Sequence, residues 1–201
     1  MPAQDRSLRP APDILGEERS YAMRPAVFST AETSRLRSLR QDCPWTAAEV
    51  GGPGEVNPPY RNAALRWLHP QNAAWAFERL DRVVTALNDR WFGLELAGFH
   101  DPLQLTRYDA GDCGHYDWHT DRGSFINGNP PRKLTVVVQL TDPADYSGGD
   151  LELLFAREPL RADRACGSVH VFPSFVLHRV TPVTAGTRLS LVGWVVGPRF
   201  R

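Results

Sequence analysis

His119 and Asp121 stand two residues apart in the run Gly114-His115-Tyr116-Asp117-Trp118-His119-Thr120-Asp121. On an extended strand alternate side chains share a face, so the imidazole and the carboxylate point the same way while Thr120 turns aside. Such a pair is a two-point chelate for an octahedral cation, and it needs a third protein ligand. His178 offers one, within Phe172-Pro173-Ser174-Phe175-Val176-Leu177-His178-Arg179-Val180. Two imidazoles and one carboxylate, with the remaining positions open, is the donor set that suits Fe(II) oxygen chemistry. Each element is weak alone. An isolated H-x-D is usually a polar strand end, and a lone histidine after an apolar turn is usually a hydrogen-bonded structural residue.

The flanking pattern supplies context. An apolar run at Val169, Val171 and Phe172 turns at Pro173-Ser174, returns through Leu177 to Val180, turns again at Ala185-Gly186, and ends in Leu189 to Val196. That predicts three short strands with tight connections. Arg188 and Ser190 share a parity on the last of them. No serine sits in a nucleophile elbow and no glycine-rich loop has the form of a phosphate cradle, so neither covalent acyl transfer nor nucleotide chemistry is indicated.

Taken with Tyr108, Gly111, Tyr116, Leu134-Thr135, Gly148-Gly149-Asp150-Leu151, Pro182-Val183, Gly186-Thr187-Arg188 and Trp194, these residues resemble the Fe(II)- and 2-oxoglutarate-dependent dioxygenases, nearest to the prolyl-4-hydroxylase-like branch. The resemblance implies Fe(II) on His119, Asp121 and His178, with 2-oxoglutarate and O2 as cosubstrates. It makes Arg188 and Ser190, the Arg-x-Ser ten residues beyond His178, the anchor for the far carboxylate of 2-oxoglutarate. A permanently charged planar guanidinium suits that task, and a neighbouring hydroxyl adds a donor. Tyr108 resembles a tyrosine that reaches the same carboxylate, with Tyr116 or Thr135 as substitutes.

The implied activity is hydroxylation of an unactivated C–H bond of an amino acid, a peptidyl side chain or a related small metabolite, with release of succinate and CO2. Trp194 stands where the nucleic-acid-demethylating branch carries a second arginine, so no nucleic-acid partner is expected. Asp121 is a carboxylate and not Gly or Ala, which argues against halogenation. Gln104, Trp118 and Trp194 are candidate substrate contacts, although aromatic and amide residues on strands more often serve as core. Two readings from other classes stay open: a non-catalytic jelly-roll module that binds metal or a small acid, and a Zn-dependent hydrolase using the same three ligands.

The elements that must position these groups follow from pattern. The chain has 201 residues, enough for a single domain with a sizeable core, expected over 21–201 behind a loose polar leader over 1–20. Lysine plus arginine equals aspartate plus glutamate at 23 each, so no bulk charge draws it to nucleic acid or to an anionic membrane surface. Three distant cysteines and the absence of an apolar leader favour a reducing, cytoplasmic setting with no membrane association.

Ser29 or Thr30 should cap a helix reaching about Asp42. The stretch Pro44 to Pro59, rich in glycine and proline, reads as irregular and as one lid candidate; Arg122 to Arg132 is a second. A long helix from about Asn72 to Phe92 presents Ala74, Phe77, Leu80, Val83, Val84, Leu87 and Trp91 as one buried stripe. Strands are expected at 61–68, 103–108, 133–140 and 149–155, with Gln104, Thr106 and Tyr108 on one face of the second. His115 shares the parity of His119 and is read as structural, Asp117 and Asp150 as solvated beside turns, and Cys113 as a packed thiol. Periodicity allows any two-sheet β fold. The resemblance makes it mainly β with N-terminal helices, a double-stranded β-helix (cupin-like jelly roll) with the metal inside its open end.

Overall fold

The computed structural model describes residues 20–39, 43–50, 54–123 and 130–199. The expected leader therefore lies outside the described residues except at Ser20, as do the last turn expected of the first helix and the middle of the Arg122 to Arg132 loop.

The first helix, α1 (Thr30–Ser38), starts where the capping pattern predicts. Ser29 accepts from the Glu32 backbone N–H while the Glu32 carboxylate reaches back to Ser29, a capping box that satisfies donors otherwise orphaned at a helix start. Glu32 also pairs with Arg79 of the second helix at 2.6 Å. That helix, α2 (Pro70–Leu87), has proline at its first position and continues into a π-helical turn over Asn88–Phe92 that Gly93 ends in a left-handed conformation. Its buried stripe is Ala73, Ala76, Leu80, Val84 and Leu87. Phe77 is partly buried and packs on the same cluster as expected, whereas Ala74 is exposed and Ala73, which leaves helical dihedrals (φ −139°, ψ 24°), is buried in its place.

The strands are β1 (Ala22–Arg24), β2 (Thr46–Ala47), β3 (Arg61–Asn62), β4 (Ala64–Leu68), β5 (Gly98–Phe99), β6 (Leu103–Asp109), β7 (His115–His119), β8 (Arg132–Gln139), β9 (Tyr146–Gly148), β10 (Leu151–Leu154), β11 (Leu160–Arg161), β12 (Val169–Pro173), β13 (Leu177–Val180) and β14 (Val183–Val196). Among the described residues they form two antiparallel sheets. The larger runs β1-β12-β8-β14-β6-β4-β2, with β5 and β9 also on β14; the smaller runs β11-β10-β13-β7-β3. This is the jelly roll.

Alternation on the larger sheet divides its faces. Leu103 and Leu105, Leu134, Val136 and Val138, Val169 and Val171, and Leu191 and Val195 pack with the buried stripe of α2 in one apolar cluster. The opposite faces of the same strands look toward the smaller sheet, where Val137, Leu151, Leu153, Phe172 and Val176 form a second cluster at one end and the polar residues form a cavity at the other.

Two expectations are corrected. Ala185-Gly186 is not a turn between strands. The chain runs through it as one strand, with a register shift where it pairs with β9 and Gly186 at φ +68°; a Cβ there would sit 2.0 Å from the Asp145 carbonyl oxygen, so only glycine fits. The Pro44 to Pro59 stretch is also less irregular than its composition predicts: β2 pairs with β4, Glu49 bridges Val56, and Trp45 packs on the core.

Candidate active site

Strands β7 and β13 pair with His119 directly opposite His178, their ring centroids 4.1 Å apart. Asp121 lies just past the end of β7, where its backbone N–H donates to the Ser174 carbonyl at 2.8 Å. One Asp121 oxygen sits 3.3 Å from His178 Nε2 and the other 3.8 Å from His119 Nε2. One donor atom from each of the three lies within 4.8 Å of the others, close enough to share a single cation. All are nearly buried.

The outer nitrogens fix the inner ones. His119 Nδ1 donates to the Asp117 carbonyl at 2.7 Å and His178 Nδ1 to the Val176 carbonyl at 2.9 Å, so each ring turns its Nε2 toward the carboxylate. The Thr135 hydroxyl donates to Asp121 at 2.9 Å and holds the acid in place.

Electrostatics at the triad is strongly coupled. Burial, reinforced by His178, brings His119 down to about 4. Burial also pushes His178 down, but the adjoining Asp121 carboxylate outweighs it and leaves His178 raised. For Asp121 burial acts upward, yet the two imidazoles hold the acid far below the ordinary carboxylate range. An ionised carboxylate beside a neutral imidazole is the protonation pattern that a divalent cation requires.

A bulge sets what surrounds the triad. Between the pairs His119–His178 and Tyr116–Val180, β7 advances three residues and β13 two. The extra residue brings Tyr116 onto the His119 face, where the two rings stack at 3.4 Å with 14° between their planes. His115, on the triad side in a regular strand, is turned away to the carbonyls of Cys113 and Pro59, at 2.8 Å and 3.1 Å. Trp118 also lies outside. Arg179 sits 4.6 Å over its ring and donates to Glu152 across the outer face of the smaller sheet, so the expectation of Trp118 as a substrate contact is corrected. On that face Asp150 is buried beside Arg161 and Arg164, not solvated as its turn position predicts.

The triad opens into a cavity of about 1040 Å³ whose other wall is the polar face of β6, β8 and β14, carrying Gln104, Tyr108, Thr135, Arg188, Ser190 and Trp194. Arg188, only 1% exposed, donates to Gln139 Oε1 at 3.0 Å and to Ser190 Oγ at 3.4 Å. Its Nε is buried without a partner, and among the described residues no carboxylate forms an ion pair with it. Gly149 makes room for its stem, since a Cβ there would lie 3.0 Å from Arg188 Cδ. The Tyr108 ring centroid is 5.5 Å from the guanidinium.

Gln104 donates to Thr106 at 2.9 Å, while Trp194 lies under Arg132 at 3.8 Å with its buried indole N–H close enough to Asp121 to help hold that acid ionised. Thr135 stands at the triad end, against Asp121 rather than Arg188. A buried guanidinium short of an anion fits one end of a dicarboxylate, and the histidine–carboxylate set fits a ferrous ion.

Gln139, which holds Arg188 from outside the cavity lining, and Arg61, which lines it, were not singled out from the sequence. Gln139 shares parity with Thr135 on an otherwise apolar β-branched strand, and that paired polar interruption was the available signal. Arg61 enters from β3, and only the pairing of β3 with β7 reveals it.

Comparison with known proteins agrees with this geometry. Residues 103–196 match the family described as the 2OG-Fe(II) oxygenase superfamily. A PKHD-type hydroxylase of Azoarcus sp. strain BH72 is 37% identical over 174 residues, covering 82% of this chain and 72% of that protein. Among solved structures, a Pseudomonas putida prolyl-4-hydroxylase superposes with a TM-score of 0.69 at 22% identity, covering 90% of this chain and 94% of that one. A Trichoplax adhaerens prolyl hydroxylase, in complex with a hypoxia inducible factor peptide fragment, superposes with a TM-score of 0.73 at 16% identity, covering 89% and 84%.

Proposed function

The chain belongs to the 2OG-Fe(II) oxygenase superfamily, and from that premise we propose that it hydroxylates an unactivated C–H bond of an amino acid, a peptidyl side chain or a related small metabolite, releasing succinate and CO2. It is an oxidoreductase of hydroxylase type that uses Fe(II) with 2-oxoglutarate and O2. When bound, the iron supplies the oxidising power that no side chain has.

The protein's part is positional. His119, Asp121 and His178 would hold the metal, with the Nδ1 bonds to Asp117 and Val176 preventing ring rotation and Thr135 preventing carboxylate rotation. Arg188 would take the far carboxylate of 2-oxoglutarate, oriented by Gln139 and Ser190. Tyr108 and the buried wall around it keep water from that ion pair and strengthen it. Gln104 and Trp194 stand where a substrate could touch the cavity wall.

The observation that carries this reading is the convergence of three metal donors within 4.8 Å in a cavity that also holds a buried arginine lacking an anion. A hydrolase built on the same three ligands would leave Arg188 without a task. The test is an aerobic assay with Fe(II) and 2-oxoglutarate against a panel of amino acids and peptides. The expected result is substrate-stimulated succinate formation with gain of one oxygen atom by the panel member. Turnover that proceeds with zinc and without oxygen contradicts it.

A further inference from the structure

A second arginine faces the same cavity. Arg61 is 8% exposed and lies opposite Tyr116 in the β3–β7 pairing, its guanidinium 4.4 Å over the Tyr116 ring that stacks on His119. One terminal nitrogen donates to the Glu49 carbonyl at 3.2 Å, and Nε is buried with no partner. Among the described residues no carboxylate pairs with it; Glu49 itself is exposed and touches Arg61 through its backbone. A desolvated guanidinium with neither counter-ion nor full hydrogen bonding is unfavourable unless a ligand completes it.

The charges in the cavity give the sign of that ligand. Arg132 is already neutralised by Asp101 at 2.7 Å. Asp121 and a 2-oxoglutarate dianion would balance the ferrous ion and Arg188, the exposed Glu49 and Arg122 on the cavity lining offset one another, and Arg61 leaves one positive charge over. Resting on the dioxygenase reading of this site, we infer that the substrate carries a carboxylate and that Arg61 binds it. Arg61 would then determine specificity from the triad side of the cavity, one ring away from His119, while Arg188 serves the cosubstrate. The shared chemistry covers a free amino acid and the terminal carboxylate of a peptide.

The test uses the full chain loaded with zinc(II) and 2-oxoglutarate, so that binding is read without turnover. Three probe sets are compared by ligand-observed NMR: free L-amino acids, their carboxamides, and tripeptides ending in the same residues. Wild-type protein should bind at least one carboxylate about ten-fold or more tighter than its amide, and Arg61→Gln should reduce that preference to about two-fold while Arg61→Lys keeps part of it. The affinity for 2-oxoglutarate, titrated first, should move less than about three-fold in Arg61→Gln, which a general collapse of the pocket would not permit. Stronger binding of free amino acids would assign a small metabolite, and stronger binding of tripeptides a chain terminus. Amides that bind as well as acids, no binding by any probe, or a preference surviving in Arg61→Gln would overturn the inference. Failure of wild-type protein to bind 2-oxoglutarate would instead remove the reading beneath it.

Discussion

Alternate residues of β14 serve two different regions. Leu189, Leu191 and Val195 pack toward α2 among side chains that are uniformly apolar, whereas Arg188, Ser190 and Trp194 line the cavity among polar groups that burial has stripped of water. On the helix side every contact adds burial, on the order of 25 cal/mol per Å². On the cavity side Arg188 Nε is buried without a partner. One face of the strand holds the fold together; the other gives up stability in exchange for a binding site.

Substitutions should separate the two faces, and the largest effect belongs to the triad. Asp121→Ala should abolish metal binding and metal-dependent turnover while circular dichroism shows an intact fold; retained metal-dependent turnover would break the assignment. Next come two changes of similar size and opposite character. Leu80→Ala on the helix side should lower unfolding free energy by about 2 to 5 kcal/mol in denaturant titrations, with 2-oxoglutarate affinity unchanged. Arg188→Ala should weaken 2-oxoglutarate binding by about 2 to 5 kcal/mol in calorimetry yet leave the melting temperature unchanged or higher, because an unpaired buried cation is removed.

A third region sharpens the contrast by being polar, buried and satisfied. His170 bonds Tyr21 at 2.7 Å and Ser168 at 3.0 Å, and burial depresses it to about 4. The folded form therefore resists a proton that the unfolded chain accepts below its ordinary value of 6.5. The His170 contribution to stability should be constant above that value and fall by about 3 kcal/mol as pH drops toward 4. His170→Gln should flatten that fall in pH-dependent denaturation curves. The smallest effect is expected at Trp118, on the outer face: Trp118→Ala should change turnover less than about two-fold, and Trp194→Ala considerably more.

The pairing of His119 with Asp121 and of Arg188 with Ser190 was legible because that signal is local, whereas the tie to His178 and the role of Arg188 came from the family resemblance. His119 with Asp121, and Arg188 with Ser190, each lie two residues apart on a strand, and period-two alternation survives in a well-paired sheet. What parity could not reveal was the bulge in β7, which exchanges His115 for Tyr116 at the cavity and depends on how β13 pairs. Ala185-Gly186 carries turn chemistry, but the left-handed glycine conformation serves an irregular pairing with β9 instead. At the start of α2 Ala73 is buried and Ala74 exposed, because Ala73 departs from helical dihedrals and helical periodicity does not hold there. Arg61 was invisible for a different reason. Its partner, Tyr116, is 55 positions away, and the meaning of a strand arginine depends on what the other sheet places beside it.

The central claim is that one cavity brings the triad and Arg188 together around iron and 2-oxoglutarate. An anaerobic titration reads this most directly through the visible absorption that Fe(II) acquires when 2-oxoglutarate chelates it. The account predicts that the band saturates at one equivalent of iron in wild-type protein, fails to form in Asp121→Ala, and requires far more 2-oxoglutarate in Arg188→Ala. A band of undiminished strength and unchanged 2-oxoglutarate dependence in both variants would contradict it.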